Sequence, residues 1–93
     1  MQPCVYIMSS SNDRAIYIGV TSQLKQRIWQ HKNNVVQGFS SKYKTYKLVF
    51  FEMHSDMNSA FLREKRLKKW NRKWKMDLIS LENPNWIDLY DSL

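Results

Sequence analysis

The fold is decided by residues 3 to 20, which read PCVYIMSSSNDRAIYIGV. The two ends of this stretch, residues 3–8 and 15–20, are rich in β-branched and aromatic residues, a composition typical of strands. Between them, residues 9–13 are all Ser, Asn or Asp, which favour turns. The sequence therefore predicts a β-hairpin.

Gly19 interrupts the second predicted strand. A glycine weakens a strand, and its usual reason is the close approach of backbone, a helix or a ligand. Because side chains alternate along a strand, Tyr6 and Tyr17 can lie together on the face opposite to Val5 and Ile18. Tyrosines are ordinary strand residues, but a shared face beside a glycine makes these two phenols candidates for function.

Hydrophobic spacing and capping residues predict the elements that follow the hairpin. They are a helix over about residues 22–32, a polar loop over 35–46, a third strand over 47–52, a helix over 57–70 that resumes over 74–81, and a short terminal helix over 84–90. This order predicts an α/β fold in which a three-stranded antiparallel sheet is flanked by helices. A single domain spanning residues 1–93 is expected.

The chain is strongly basic, with fifteen Lys and Arg against eight Asp and Glu and a formal net charge of +7. Eight of the fifteen basic residues lie between Arg63 and Lys75, where Glu64 is the only acid. Such a stripe favours nucleic acid as the partner, and the alternatives are an acidic protein, an anionic membrane or a purely solubilising role. The residues expected to contact nucleic acid are Lys42, Lys65, Arg66, Lys69, Arg72 and Lys73.

Composition argues against several other classes of protein. The longest apolar run, residues 48–51, is far shorter than the roughly 20 residues of a membrane span, and the chain opens with no secretory signal. The single cysteine, Cys4, can form neither an intrachain disulfide nor a cysteine-rich zinc site. We therefore expect a cytoplasmic protein with no membrane partner, and the sequence leaves its oligomeric state open.

Three polar residues fall on helix faces that are otherwise apolar. Glu64 lies in the middle of the apolar face of the helix over 57–70, where a carboxylate is costly unless it is paired or bound to a cation. A salt bridge to Lys68 is one explanation and a metal ion is the other. In the first helix, Arg27 and His31 share the apolar face, and they favour a phosphate site over a satisfied core histidine.

The pattern of these residues resembles the GIY-YIG nuclease superfamily. The resemblance rests on the spacing of Cys4-Val5-Tyr6, Tyr17-Ile18-Gly19, Arg27, His31 and Glu64. More narrowly, three further segments resemble small stand-alone bacterial members related to the amino-terminal nuclease domain of the bacterial excision-repair nuclease. These segments are residues 38–43, 63–70 and 83–86, so the similarity covers nearly the whole chain.

The resemblance implies an endonuclease that uses Mg²⁺ or Mn²⁺ to hydrolyse phosphodiester bonds of nucleic acid. It implies Tyr17 as general base and Tyr6 as the partner that orients the nucleophilic water. It also implies Glu64 as the single metal ligand and Arg27 as the group that stabilises the phosphate, with His31 near the same site. DNA is the expected substrate and low sequence specificity is expected, because no appended recognition domain is foreseen.

The sequence departs from the family pattern at three positions. Cys4 stands at the first glycine of the motif, Val20 stands where some relatives carry a lysine, and Met76 stands about where many carry an active-site asparagine. Asn71, seven residues after Glu64 and expected on the same helix face, could compensate for the last change. The alternative is therefore a basic nucleic-acid-binding module that keeps the fold without catalysis, and a protein that docks an acidic partner is a more distant one.

Overall fold

The computed structural model describes residues 2–35 and 44–93. The candidate Lys42 and the segment 38–43 lie outside the described residues. In chain order the elements are β1 (Cys4–Ser9), β2 (Ile16–Thr21), α1 (Leu24–Lys32), β3 (Lys47–Met53), α2 (Met57–Lys69), α3 (Arg72–Glu82) and a 3₁₀ turn (Tyr90–Ser92). Within the described part of the chain, no helix has both the length and the apolar character to cross a membrane.

The three strands form an antiparallel sheet in the order β2-β1-β3, which confirms the predicted architecture. β1 is the central strand and is buried along its whole length. In the hairpin register, Tyr6 of β1 stands opposite Gly19 of β2. The pairing of β1 with β3 shifts between Ile7 and Met8, which marks a β-bulge. The hairpin is therefore the framework on which both helical layers pack.

Each face of the sheet carries its own hydrophobic cluster. On one face, α2 and α3 pack against Val5 of β1 through residues such as Leu67 and Ile79. On the other face, α1 packs against Tyr6 through residues such as Ile28, and the last residues of the chain complete the layer. Strand alternation thus places Tyr6 on the α1 side and leaves α2 on the opposite side.

The predicted break between the last two long helices is confirmed, and Asn71 causes it. α2 ends at Lys69, and the Asn71 side-chain oxygen then accepts the backbone N–H of Trp74 at 2.9 Å, which caps α3. The expectation that Asn71 joins Glu64 on one helix face is wrong, because Asn71 lies beyond the end of α2 and its side chain caps the next helix.

The prediction of a short helix over residues 84–90 is also wrong. The helical structure in this region is a single 3₁₀ turn at Tyr90–Ser92. The buried side chain of Asn83 donates to the carbonyl of Ile87 at 2.9 Å and accepts the N–H of Ile87 at 3.1 Å. Trp86 adopts a φ of 51°, which a right-handed helix does not allow. These contacts fix an irregular path, so the favourable proline at residue 84 does not start a helix.

Candidate active site

The two tyrosines of the hairpin meet above Gly19. A Cβ atom added to Gly19 would lie 2.5 Å from both Cζ and the hydroxyl oxygen of Tyr6, and 3.0 Å from Cε1 of Tyr17. Atoms this close would collide, so the Tyr6 ring can occupy its place only because residue 19 lacks a side chain. A close approach at the glycine is therefore found, but it is made by the Tyr6 ring of the paired strand and not by backbone, a helix or a ligand.

His31 of α1 completes an aromatic cluster with the two tyrosines. Its ring centroid lies 5.7 Å from that of Tyr6 and 5.3 Å from that of Tyr17, and the two tyrosine centroids are 6.2 Å apart. The Nε2 atom of His31 is 2.9 Å from the Tyr6 hydroxyl, and Tyr17 acts electrostatically on the same hydroxyl. The three polar groups therefore form one cluster, in which Tyr6 and His31 are directly hydrogen-bonded.

Burial keeps the side chains of Tyr6 and His31 neutral. It raises the pKa of Tyr6 well above the ordinary value of 10.0; the charge of Tyr17 adds to the shift, and Arg27 opposes it. Burial also lowers the pKa of His31 below its ordinary value of 6.5, and the positive charge of Arg27 lowers it further. At neutral pH, Tyr6 and His31 are thus both uncharged, and a single hydrogen bond joins them.

Arg27 connects this buried cluster with a polar surface. It lies one helical turn before His31 on α1 and is half-buried, so the predicted pairing of the two residues is confirmed in space. The surface cavity that it enters has a volume of about 220 Å³ and is lined by Thr21, Ser22, Gln23, Gln26, Arg27 and Gln30. Hydroxyl, amide and guanidinium donors suit the oxygen atoms of a phosphate.

Glu64 approaches from the other layer of the molecule, because α2 packs on the face opposite to the tyrosines. Its side chain is only 15% exposed, whereas that of Lys68 is 55% exposed, so the inward orientation predicted for Glu64 is confirmed. The two charged groups are 3.7 Å apart, which is an ion pair longer than a hydrogen bond. Glu64 is therefore paired without being sealed.

A cavity at the edge of β2 links the two layers. It has a volume of about 330 Å³ and is lined by Ile16, Tyr17, Ile18, Lys68 and Lys75. Lys68 both lines this cavity and pairs with Glu64, so it connects the carboxylate with the space that Tyr17 borders, although Glu64 itself is not among the lining residues. Lys75, which also donates to the carbonyl of Lys68 at 3.3 Å, is a site residue that the sequence did not predict.

The described residues contain no cluster of three or more His, Cys, Asp and Glu side chains that could enclose a metal ion. A protein cage is not required, because Mg²⁺ keeps several water ligands and often binds one or two carboxylates together with substrate phosphates. Glu64, whose side chain is 15% exposed and whose ion pair with Lys68 is 3.7 Å long, fits the role of one such ligand.

The candidate nucleic-acid contacts fall into two groups. Arg72 donates to the carbonyls of Asp13 and Arg14, so it ties α3 to the turn of the hairpin, and Lys73 pairs with Asp77 at 2.8 Å. The remaining described candidates are exposed along α2, and they are Lys65, Arg66 and Lys69. The basic stripe is thus partly structural, which the sequence alone did not reveal.

The chain is similar to several known proteins. The family described as the GIY-YIG catalytic domain matches residues 2–77. A UPF0213 protein of Clostridium perfringens is 36% identical over 76 residues, which cover 82% of this chain and 81% of that protein. A UPF0213 protein of Syntrophus aciditrophicus is 32% identical over 84 residues, which cover 86% and 91% of the two chains.

The fold has also been observed in a solved structure. The solution NMR structure of a UPF0213 protein from Bacillus halodurans superposes with a TM-score of 0.59 at 23% identity, and the match covers 95% of this chain and 93% of that one. This likeness establishes the fold, and the match over residues 2–77 establishes the family. The chain therefore belongs to the GIY-YIG family of nuclease-type catalytic domains.

Proposed function

We propose that this protein is a metal-dependent endonuclease that hydrolyses phosphodiester bonds of nucleic acid, with DNA as the substrate and little sequence specificity. The observation that carries the proposal is the cluster of His31, Tyr6 and Tyr17, in which Tyr6 bonds to His31 and Arg27 lies one helical turn away. Membership of the GIY-YIG family supports the same chemistry.

In the proposed mechanism, Tyr6 orients Tyr17. The Tyr6 hydroxyl can donate or accept in its bond with His31, since a hydroxyl does both. In the productive arrangement, His31 donates from Nε2 to the Tyr6 oxygen, which directs the Tyr6 proton toward the Tyr17 oxygen. Tyr17 borders the edge cavity, and after its own phenolic proton has passed to solvent its oxygen removes a proton from the attacking water as general base.

Cationic side chains hold the substrate on both sides of Tyr17. Arg27 reaches the phosphate from the α1 layer, where its guanidinium can offer two parallel donors to two phosphate oxygens. Lys68 and Lys75 line the edge cavity on the opposite layer. The phosphodiester is thus positioned across the edge of β2.

Glu64 is the residue that would hold the divalent ion. Mg²⁺ or Mn²⁺, when bound, supplies charge neutralisation on the phosphate and a more acidic water. Lys68 pairs with Glu64 and lines the cavity, so that lysine and an ion would compete for the same oxygen atoms. Displacement of Lys68 toward the substrate would leave Glu64 available to the ion.

The test is incubation of the pure protein with labelled linear, branched and single-stranded DNA and RNA in Mg²⁺, Mn²⁺ or EDTA. We expect cleavage of DNA with either metal and none in EDTA. Glu64→Gln should abolish cleavage, whereas Glu82→Gln makes the same change at an exposed position of α3 and should leave it intact. Cleavage that persists in EDTA, or equal activity of the two variants, would refute the metal role of Glu64.

A second candidate function is nucleic-acid binding without catalysis. Two observations favour it: Met76 packs against the core cluster, and Asn71 is used as a helix cap, so neither supplies an active-site amide. Retention of DNA binding with no cleavage under any metal condition would establish this alternative.

A further inference from the structure

The side of α3 turned away from the sheet exposes large apolar residues. Trp74 is 57% exposed and Leu81 is 81% exposed. Together with Trp70, Asp77 and Leu78 they line a surface cavity of about 370 Å³. Contiguous apolar surface of this kind commonly marks an interaction site.

The Trp74 ring is held in a defined position. Trp70 packs edge to face against it, with ring centroids 6.0 Å apart and an interplanar angle of 89°. Arg63 in turn lies over Trp70, with its guanidinium carbon 5.2 Å from the ring centroid. The backbone of Trp74 is fixed as well, since its N–H bonds to the Asn71 cap. An aromatic ring ordered in advance loses little entropy when a second ring stacks on it.

The surroundings of Trp74 are basic. Lys69, Arg72, Lys73 and Lys75 lie within five positions of it in the sequence, and Trp74 itself is in the first turn of α3, where the helix dipole is positive. The nearby acid Asp77 is paired with Lys73. A partner that combines a flat ring with a negatively charged backbone complements this surface, and a nucleotide has both.

We propose that Trp74 stacks on an unpaired base, so that the preferred substrate carries a single-stranded segment. This inference rests on the proposed nucleic-acid substrate and specifies its structure. In an intact duplex each base is already stacked on its neighbours and offers only its edges to a protein. Lys75, the next residue, lines the cavity beside Tyr17, so the proposed stacking residue is a direct neighbour in sequence of a residue of the proposed active site.

Binding in EDTA separates base stacking from phosphate attraction. The probes are an oligothymidylate, an abasic strand of equal length and a blunt duplex at one salt concentration, with an oligouridylate to compare RNA with DNA. We expect the wild type to prefer the base-containing strand over the abasic strand by about 5- to 150-fold, the range for one stacked base. Trp74→Ala should remove this preference, and Trp74→Phe should retain part of it. The matched control Trp29→Ala, which removes an exposed tryptophan of α1, should preserve it.

Three results would overturn the inference. The first is equal affinity of the wild type for the base-containing and abasic strands. The second is a Trp74→Ala variant that keeps the wild-type preference or weakens all probes equally. The third is a wild-type dimer that Trp74→Ala converts to a monomer, which would identify this face as a protein interface. Because binding needs no cleavage, a protein that stacks bases but cuts nothing refutes only the nuclease proposal, and one that cuts but ignores bases refutes only this inference.

Discussion

At the scale of single residues, the rings of Tyr6 and Tyr17 serve packing, and their hydroxyls are the groups proposed to take part in the chemistry. Tyr6 is buried and its ring fills the space above Gly19, whereas Tyr17 is only partly buried and borders the edge cavity. Removing a hydroxyl while keeping its ring therefore tests chemistry with little effect on the fold.

For Tyr17→Phe we expect cleavage to fall by roughly 100-fold or more, the scale associated with loss of a general base. The free energy of unfolding should change little, because the ring remains. Tyr46→Phe is the matched control: it removes a hydroxyl that bonds to the exposed Asn34 at 2.7 Å, on a different part of the surface. Single-turnover cleavage and urea unfolding measure both effects, and unchanged cleavage in Tyr17→Phe would exclude Tyr17 from the mechanism.

Acid should weaken the fold through His31. Because its pKa in the folded protein is below 6.5, the unfolded chain binds the proton first as the pH falls. The stability contributed by neutral His31 is therefore complete above pH 6.5 and is lost as the pH falls toward the lower folded value. In urea titrations from about pH 7.5 to 5, the wild type should lose more stability than His31→Gln. His54→Gln, outside the cluster, should behave like the wild type.

At the scale of elements, local patterns were sufficient for the hairpin and for the shared face of its two tyrosines. Strand alternation needs only neighbouring residues, so the meeting of Tyr6 and Tyr17 could be predicted. The path after α3 could not be predicted, because Asn83 bonds to β3, which is distant in sequence. Lys75 was missed for a related reason: the Asn71 cap sets the direction of α3, and with it the cavity that Lys75 reaches.

Asn83 fastens the chain end to the sheet. Its side-chain amide also donates to the carbonyl of Val49 at 3.1 Å, in addition to its bonds with Ile87. Asn83→Ala should lower the free energy of unfolding by roughly 1–3 kcal/mol, because buried backbone groups lose their partners. Asn85→Ala makes the same truncation at an exposed neighbour and should cost much less. Equal losses in urea unfolding would show that Asn83 is not a special anchor.

At the scale of the whole molecule, the site is assembled from both faces of the sheet. The candidates Tyr6, Arg27 and His31 come from the α1 side, and Glu64 and Lys68 come from the α2 side. At the edge of β2, Tyr17 and Lys68 line one cavity. The sequence could indicate each candidate on its own helix or strand. It could not indicate that the acid and the histidine belong to different layers.

Nucleic-acid binding should depend on where positive charge lies as well as on its amount. Lys69→Glu and Lys25→Glu change the net charge equally, but Lys69 belongs to the exposed α2 stripe, and Lys25 lies on α1 beside Met53. In plots of log K against log salt concentration, loss of one phosphate contact should reduce the slope by about 0.9 for Lys69→Glu and leave it nearly unchanged for Lys25→Glu. Equal slopes for both variants would mean that the stripe is not the binding surface.

The close fit of Tyr6 over Gly19 also constrains how this sequence can evolve. A side chain at residue 19 and the present tyrosine ring of residue 6 cannot occupy the same space, so residue 19 cannot change while that ring stays in place. A lineage that gains even an alanine at residue 19 must shift or shrink the aromatic ring opposite, and with it the hydroxyl that contacts His31. A descendant that keeps the phenol must therefore also keep the glycine, whereas one that loses the phenol no longer requires the glycine.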